Sequence, residues 1–249
     1  MASNPILGAR CLLRGVTLLT EPALRPFVIV PVLINIVVFT AALWYAISRF
    51  DGLMARLESG VPSWLQWIDW LLWPVFVLAL LIIVFYGFSL LANLIASPFN
   101  GLLAEKAEAL ITGQPVQGDV DFKRLLRELP MTLLDELKKL AYAALWTLPF
   151  LILALIVPVI GPLIWFFFTA WMLAVQYSDF PMGNHGLLFA EMRARLRQRR
   201  MLSLGFGSAA SGLTMLPILN FIAMPASVVG ATVLWVEDLQ HIKPGLDSA

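Results

Sequence analysis

Residues Leu140 to Ser178, LAYAALWTLPFLILALIVPVIGPLIWFFFTAWMLAVQYS, decide the fold. No charged side chain interrupts them, and an ionised group near the centre of a bilayer costs a few kcal/mol or more, so charge-free runs of this kind belong in lipid. The run is too long for one crossing and is broken at its middle by Pro158-Val159-Ile160-Gly161-Pro162. Proline lacks the amide donor and clashes with the preceding turn, so the pattern predicts two helices joined by a tight turn. Each arm, roughly 15 to 18 residues at 1.5 Å per residue, falls short of a hydrocarbon core about 30 Å thick, and such arms enter the membrane without having to cross it.

The same form recurs at Met201 to Val236, where the expected interruption lies between Pro217 and Pro225 with Asn220 in the break. Two further charge-free intervals are unbroken and read as spans: Pro26 to Ser48, bounded by Arg25 and Arg49, and Trp70 to Ala104. The second is longer than a crossing requires, so it should tilt or extend past the membrane. Trp44 and Tyr45 at the end of the first span, and Trp64, Trp67, Trp70 and Trp73 on the returning chain, mark one headgroup level. Residues 5–20 mix Arg10 and Arg14 with Ile6, Leu7, Leu12, Leu13, Val16 and Leu19, which fits an interfacial amphipathic helix and not a cleavable signal. Composition agrees: 60% of the residues are hydrophobic and only 13% charged, too little polar surface to coat a soluble globule. The expected fold is an all-α integral membrane protein with two long transmembrane helices, two Pro-broken membrane-inserted helical hairpins and an N-terminal amphipathic helix.

Lys and Arg accumulate on the cytoplasmic side of membrane proteins. Here Arg10, Arg14 and Arg25 precede the first span. Lys106, Lys123, Arg124, Arg127, Lys138 and Lys139 follow the second, and Arg193, Arg195, Arg197, Arg199 and Arg200 separate the hairpins, whereas the loop between the spans holds only Arg49 and Arg56. A single span at 140–178 would put the arginine-rich segment outside; a hairpin returns it to the cytoplasm. The expected layout is one polytopic domain over residues 1–249: an interfacial helix at 5–20, spans at 26–48 and 70–104, a cytoplasmic helical segment at 105–139, hairpins at 140–178 and 201–236, and a basic cytoplasmic segment at 179–200. Both termini should be cytoplasmic.

Chemistry-bearing motifs are scarce. The formal net charge of +1 gives no nucleic-acid signature. Cys11 is the one cysteine, which excludes an internal disulfide and a thiolate cluster. His185 and His241 stand at no metal-ligand spacing and are expected to be solvated. Neither a GxSxG elbow nor a phosphate-binding GxxxxGK[ST] loop occurs. The expectation is a protein that is not an enzyme and takes no cofactor and no metal.

What remains is a set of polar groups where apolar ones would be cheaper. Glu21-Pro22-Ala23-Leu24-Arg25-Pro26 stands just before the first span. Unpaired amides and the positive end of the helix dipole favour a negative ligand there, and the Arg25 guanidinium can hold an oxyanion by a two-pronged contact. The plainer alternative is a snorkelling, positive-inside anchor. Asn35 in the first span, with Asn93, Ser97 and Asn100 at the end of the second, either line a path or bond between helices. Glu105 and Glu108 share a helical face and either line a cytoplasmic mouth or are solvated or paired with nearby basic residues. With no carboxylate at mid-span, a channel-like conduit is favoured over tight proton coupling.

Several strings resemble the CysZ-type sulfate permeases of bacteria: Pro31-Val32-Leu33-Ile34-Asn35, Pro62-Ser63-Trp64-Leu65-Gln66-Trp67, Trp171 to Pro181, Asn184-His185, Met224-Pro225-Ala226 and, above all, Asn93-Leu94-Ile95-Ala96-Ser97-Pro98-Phe99-Asn100-Gly101-Leu102-Leu103-Ala104-Glu105. The resemblance covers nearly the whole chain. It implies a homo-oligomeric inner-membrane protein that imports sulfate for assimilation into cysteine; sulfite or other oxyanions are further candidate solutes, and the sequence does not set the selectivity among them. It implies no soluble cofactor. In that family a Gly-Leu/Ile-Arg-Arg type segment before the first span holds sulfate. The matching positions are Ala23, Leu24, Arg25 and Pro26, so two of four depart and Arg25 carries the expected sulfate site almost alone, with Ala23 and Leu24 beside it. The family's pore positions map onto Asn93, Asn100 and Glu105, to which the polar pattern adds Asn35. A non-transporting membrane scaffold or regulatory subunit of an uptake system is the alternative function.

Overall fold

In the computed structural model the structure describes residues 4–60, 69–114, 122–157 and 159–242, and the described residues are helical almost throughout, with no strand among them. In chain order they form α1 (Pro5–Leu18), α2 (Arg25–Gly60), α3 (Asp69–Thr112), α4 (Phe122–Ile156), α5 (Gly161–Asn184), α6 (Phe189–Gln198), α7 (Arg200–Met215) and α8 (Pro217–Leu234), with a π-helical turn at Trp235–Leu239. The chain is an all-α membrane protein. The stretches Arg25–Phe50, Leu137–Ile156 and Ile222–Leu239 are long and apolar enough to cross a bilayer.

Prolines set where helices begin. Pro5, Pro162 and Pro217 occupy the first turns of α1, α5 and α8, where the missing N–H has no intrahelical partner to lose. Asn4 adds a side-chain cap, its Oδ1 accepting from the Ile6 amide at 2.9 Å. At the other end of α3, Gly113 takes a left-handed φ of 71°, and its amide donates to Ala109 O at 2.9 Å, a turn that glycine makes without a Cβ penalty.

The expected break near Pro158 lies between the end of α4 at Ile156 and the start of α5 at Gly161. The second break departs from expectation. It is confined to Leu216, and α8 runs without interruption through Asn220 and Pro225. Pro217 alone stops the preceding helix, because proline at a helix start is compatible with the new helix but ends the old one; Pro225 is absorbed inside α8, as membrane helices tolerate. Both long helices overrun the expected spans, α2 to Gly60 and α3 to Thr112, since a helix ends at a breaker and not at a membrane surface.

Two compact units are distinguished: Phe27–Phe99, and Met1–Pro26 together with Asn100–Ala249. The first comprises the apolar bodies of α2 and α3. Most of its described side chains are exposed, Val37, Trp44 and Ile47 among the most so, and Phe50 meets Trp73 edge to face at 6.4 Å. Trp64 and Trp67 of the expected aromatic belt lie outside the described residues.

The second unit holds the core. α1 packs against α7 and α8, and α5 against α4, α7 and α8. Leu202, Phe206, Val228, Val229, Val233 and Leu234 are almost wholly buried where these helices meet. Small residues permit the approach: a methyl added at Gly15 would lie 2.6 Å from both Ala226 O and Gly230 Cα, and one at Gly207 would lie 2.6 Å from the Ala170 carbonyl carbon. Such contacts bring helix backbones together as small-xxx-small interfaces do in membranes.

Candidate anion-binding site

The turn between α1 and α2 is built by local hydrogen bonds. The Glu21 amide donates to Leu18 O at 2.9 Å and the Leu24 amide to Glu21 O at 3.0 Å. Leu24 is fully buried, so it pins the turn to the core, while Ala23 and Arg25 are exposed on either side of it. Arg25 folds back over the turn: its Nε and Nη2 donate to Thr20 O at 3.0 and 2.6 Å. That clamp fixes the guanidinium at the amino end of α2 and leaves its remaining N–H groups available. Among the described residues no carboxylate pairs with it. A fixed, unneutralised guanidinium beside the free amides of a helix start suits an oxyanion. Pro26 supplies no amide but fits the first turn. Arg14, eleven residues upstream on α1, is already engaged with Glu237.

The remaining candidates are distributed. Asn35 belongs to the other compact unit, where its Oδ1 is shielded without a hydrogen-bond partner among the described residues. Asn93 lies on α3, and its side chain is outside the description. Asn100 is buried, and its Nδ2 reaches Met224 Sδ on α8 at 3.6 Å. Glu105 is half-buried one turn further along α3.

A second polar group gathers at the end of α3. His185 is exposed, as expected, and also places Nε2 at 2.8 and 3.0 Å from the two carboxylate oxygens of Glu108. Glu108 is buried, so its charge needs a partner, and the hydrogen bond to Glu108 raises the His185 pKa above its ordinary value of 6.5. Neighbouring Asn184 donates through Nδ2 to Gly101 O at 2.9 Å. The His185 ring also lies 5.3 Å from Trp235, which carries the Arg195 guanidinium on its ring at 5.3 Å. Arg195 Nη1 donates to Leu239 O and Gln240 O, each at 3.1 Å, binding carbonyls that the π-helical turn exposes. Sequence reasoning missed these partners because they are far apart in the chain; the one signal was the adjacency of Asn184 and His185 just beyond an apolar run.

The model of the family described as sulfate transporter CysZ/etoposide-induced protein 2.4 matches residues 11–225. Proteins called sulfate transporter CysZ from Salmonella typhimurium and Salmonella typhi are each 43% identical to this chain over 240 residues, covering 94% of it and 93% of their own lengths.

Proposed function

Because the chain belongs to the family of sulfate transporter CysZ and etoposide-induced protein 2.4, we propose that it carries sulfate across the bacterial inner membrane for assimilation into cysteine, as a channel-like homo-oligomer with both termini in the cytoplasm. The observation that carries this reading is Arg25: a guanidinium clamped to Thr20 O at the start of the apolar Arg25–Phe50 stretch, with no carboxylate partner among the described residues. Sulfate accepts hydrogen bonds from every side, so it matches a fork of N–H donors and the unpaired amides of a helix start. Ala23 and Leu24 contribute backbone to that turn. Asn35, Asn93, Asn100 and Glu105 are the proposed lining of the path, and the two hairpins complete it at subunit contacts. Without a mid-span carboxylate there is no built-in proton relay, so passage follows the sulfate gradient.

The test is labelled-sulfate uptake into liposomes, wild type beside Arg25→Ala, with phosphate and chloride as competitors. Saturable, competitor-selective uptake whose half-saturating concentration rises on the order of tenfold in the variant, the loss of one charge-assisted pair, is expected. Uptake no faster than into empty liposomes, from protein shown to be folded, would establish the scaffold function instead.

A further inference from the structure

Between the two arms of the first hairpin and the basic segment lies a cavity of about 500 Å³ with a chemistry unlike that of the Arg25 turn. Tyr142, Trp146 and Phe150 on α4 form one wall at helical spacing, Phe168 and Trp171 on α5 form the other, and Arg197 and Arg200 stand on the adjoining helices. The walls are tied together: Trp171 Nε1 donates to the Tyr142 hydroxyl at 3.0 Å, and Phe150 stacks on Phe168 at 4.7 Å. Arg193 lies over the Tyr142 ring at 5.0 Å. Among the described residues no acidic one lines the cavity, and neither Arg197 nor Arg200 has a carboxylate partner.

The outer side of this cavity is lipid territory. The Leu137–Ile156 window of α4 has a mean hydropathy of 1.9 and none of it is buried in the structure. From Tyr142 to Phe150 the aromatic trough runs about 12 Å along α4, close to the ~15 Å depth of one leaflet. A small free oxyanion at the arginines would leave that trough wet. A molecule with an anionic phosphate head and a hydrocarbon tail satisfies both ends, with the guanidiniums holding phosphate and the rings packing on the chain. A zwitterionic head would bring its own positive charge against two arginines. We propose that this cavity is a binding site for an anionic phospholipid, headgroup on Arg197 and Arg200 and one acyl chain along Tyr142, Trp146 and Phe150. The site does not depend on which solute the protein carries.

The full chain, reconstituted in phosphatidylcholine nanodiscs, would be photolabelled with trace phosphatidylglycerol bearing a diazirine on its acyl chain, beside the corresponding phosphatidylcholine probe, and the labelled peptides mapped. Phosphatidylglycerol is expected to label the peptides holding Tyr142 to Phe150 and Trp165 to Trp171 on the order of tenfold more than phosphatidylcholine. In R197Q/R200Q that preference should vanish while the unfolding temperature stays put, because both arginines are exposed. Equal labelling by the two lipids, or a preference that survives R197Q/R200Q, would overturn the proposal. Displacement of the probe by millimolar sulfate would assign the arginines to a free oxyanion, and labelling absent because α4 crosslinks to a second copy would assign the face to a subunit contact; either overturns it.

Discussion

The two hairpins share one sequence pattern, an apolar arm, a proline-marked break and another apolar arm, yet while α5 packs into the core, the span-length stretches of α4 and α8 end up in opposite environments. No part of the Leu137–Ile156 window of α4 is buried within the structure, whereas 67% of Ile222–Leu239 in the second hairpin is. Hydropathy alone would rank them the other way, since the α4 window, at 1.9, is the more apolar of the two and the α8 window reaches 1.4. Residue size decides. α7 and α8 carry Gly205, Gly207 and Gly230 against Pro5, Ala170 and Leu12, so backbones come close enough for dispersion and weak hydrogen bonds to hold them where lipid is as apolar as any side chain. The corresponding face of α4 carries Leu145, Trp146, Leu148, Ile152 and Leu155, all exposed; bulky side chains hold a neighbour off and offer their surface to acyl chains or another subunit.

The strongest way to break this contrast is to put the same side chain into both settings. Gly15→Val should collide with the Gly230 and Ala226 backbones and cost about 3 kcal/mol or more, enough to unseat α1 from α8. Ala144→Val on the exposed side of α4 should change stability by no more than about 0.5 kcal/mol. Thermal unfolding in detergent reads both, and equal effects would mean that small-residue packing does not distinguish the hairpins.

A smaller effect separates two arginines that the sequence distinguishes only by position, Arg25 before a span and Arg195 within a basic run. Arg195 holds two carbonyls at the end of the second hairpin and covers Trp235, so Arg195→Ala should lower stability by about 2 kcal/mol. Arg25→Ala, which loses its exposed bonds to Thr20 O, should cost about 1 kcal/mol. The two should rank in the opposite order for sulfate uptake. A stable Arg195→Ala protein with poor uptake would move the anion site to the second hairpin.

Legibility followed the range of the interaction involved. Proline and charge spacing are local, so the first helix, the break near Pro158 and the long helices could be read from the residues that form them. The second break was misplaced because Pro217 and Pro225 look alike in sequence; only the helix that forms reveals which proline sits in a first turn and which is carried inside. Arg25 could be singled out by its place before a span, but its clamp on Thr20 O and the burial of Leu24 needed the folded turn. Glu108 with His185, and Arg14 with Glu237, pair across distances that no single-sequence pattern encodes.

The smallest effect tests how the first hairpin is moored. His185 at the end of α5 meets buried Glu108 on α3, while the interface of α1 with α7 and α8 rests on packing. Glu108 raises the His185 pKa above 6.5, so the stabilisation by protonated His185 is fully present below 6.5 and is lost as pH rises through the raised folded value. His185 has a third of its side chain exposed, and solvent screening limits the gain to less than about 1 kcal/mol. Hydrogen exchange of the Tyr177 to Asn184 amides should therefore quicken, beyond the intrinsic pH dependence, as the medium is taken upward through that window, while the α7 and α8 amides show no such excess. His185→Gln should remove the excess. If α8 responded equally, the pair would be holding the whole second unit, and the two hairpins would share one mooring after all.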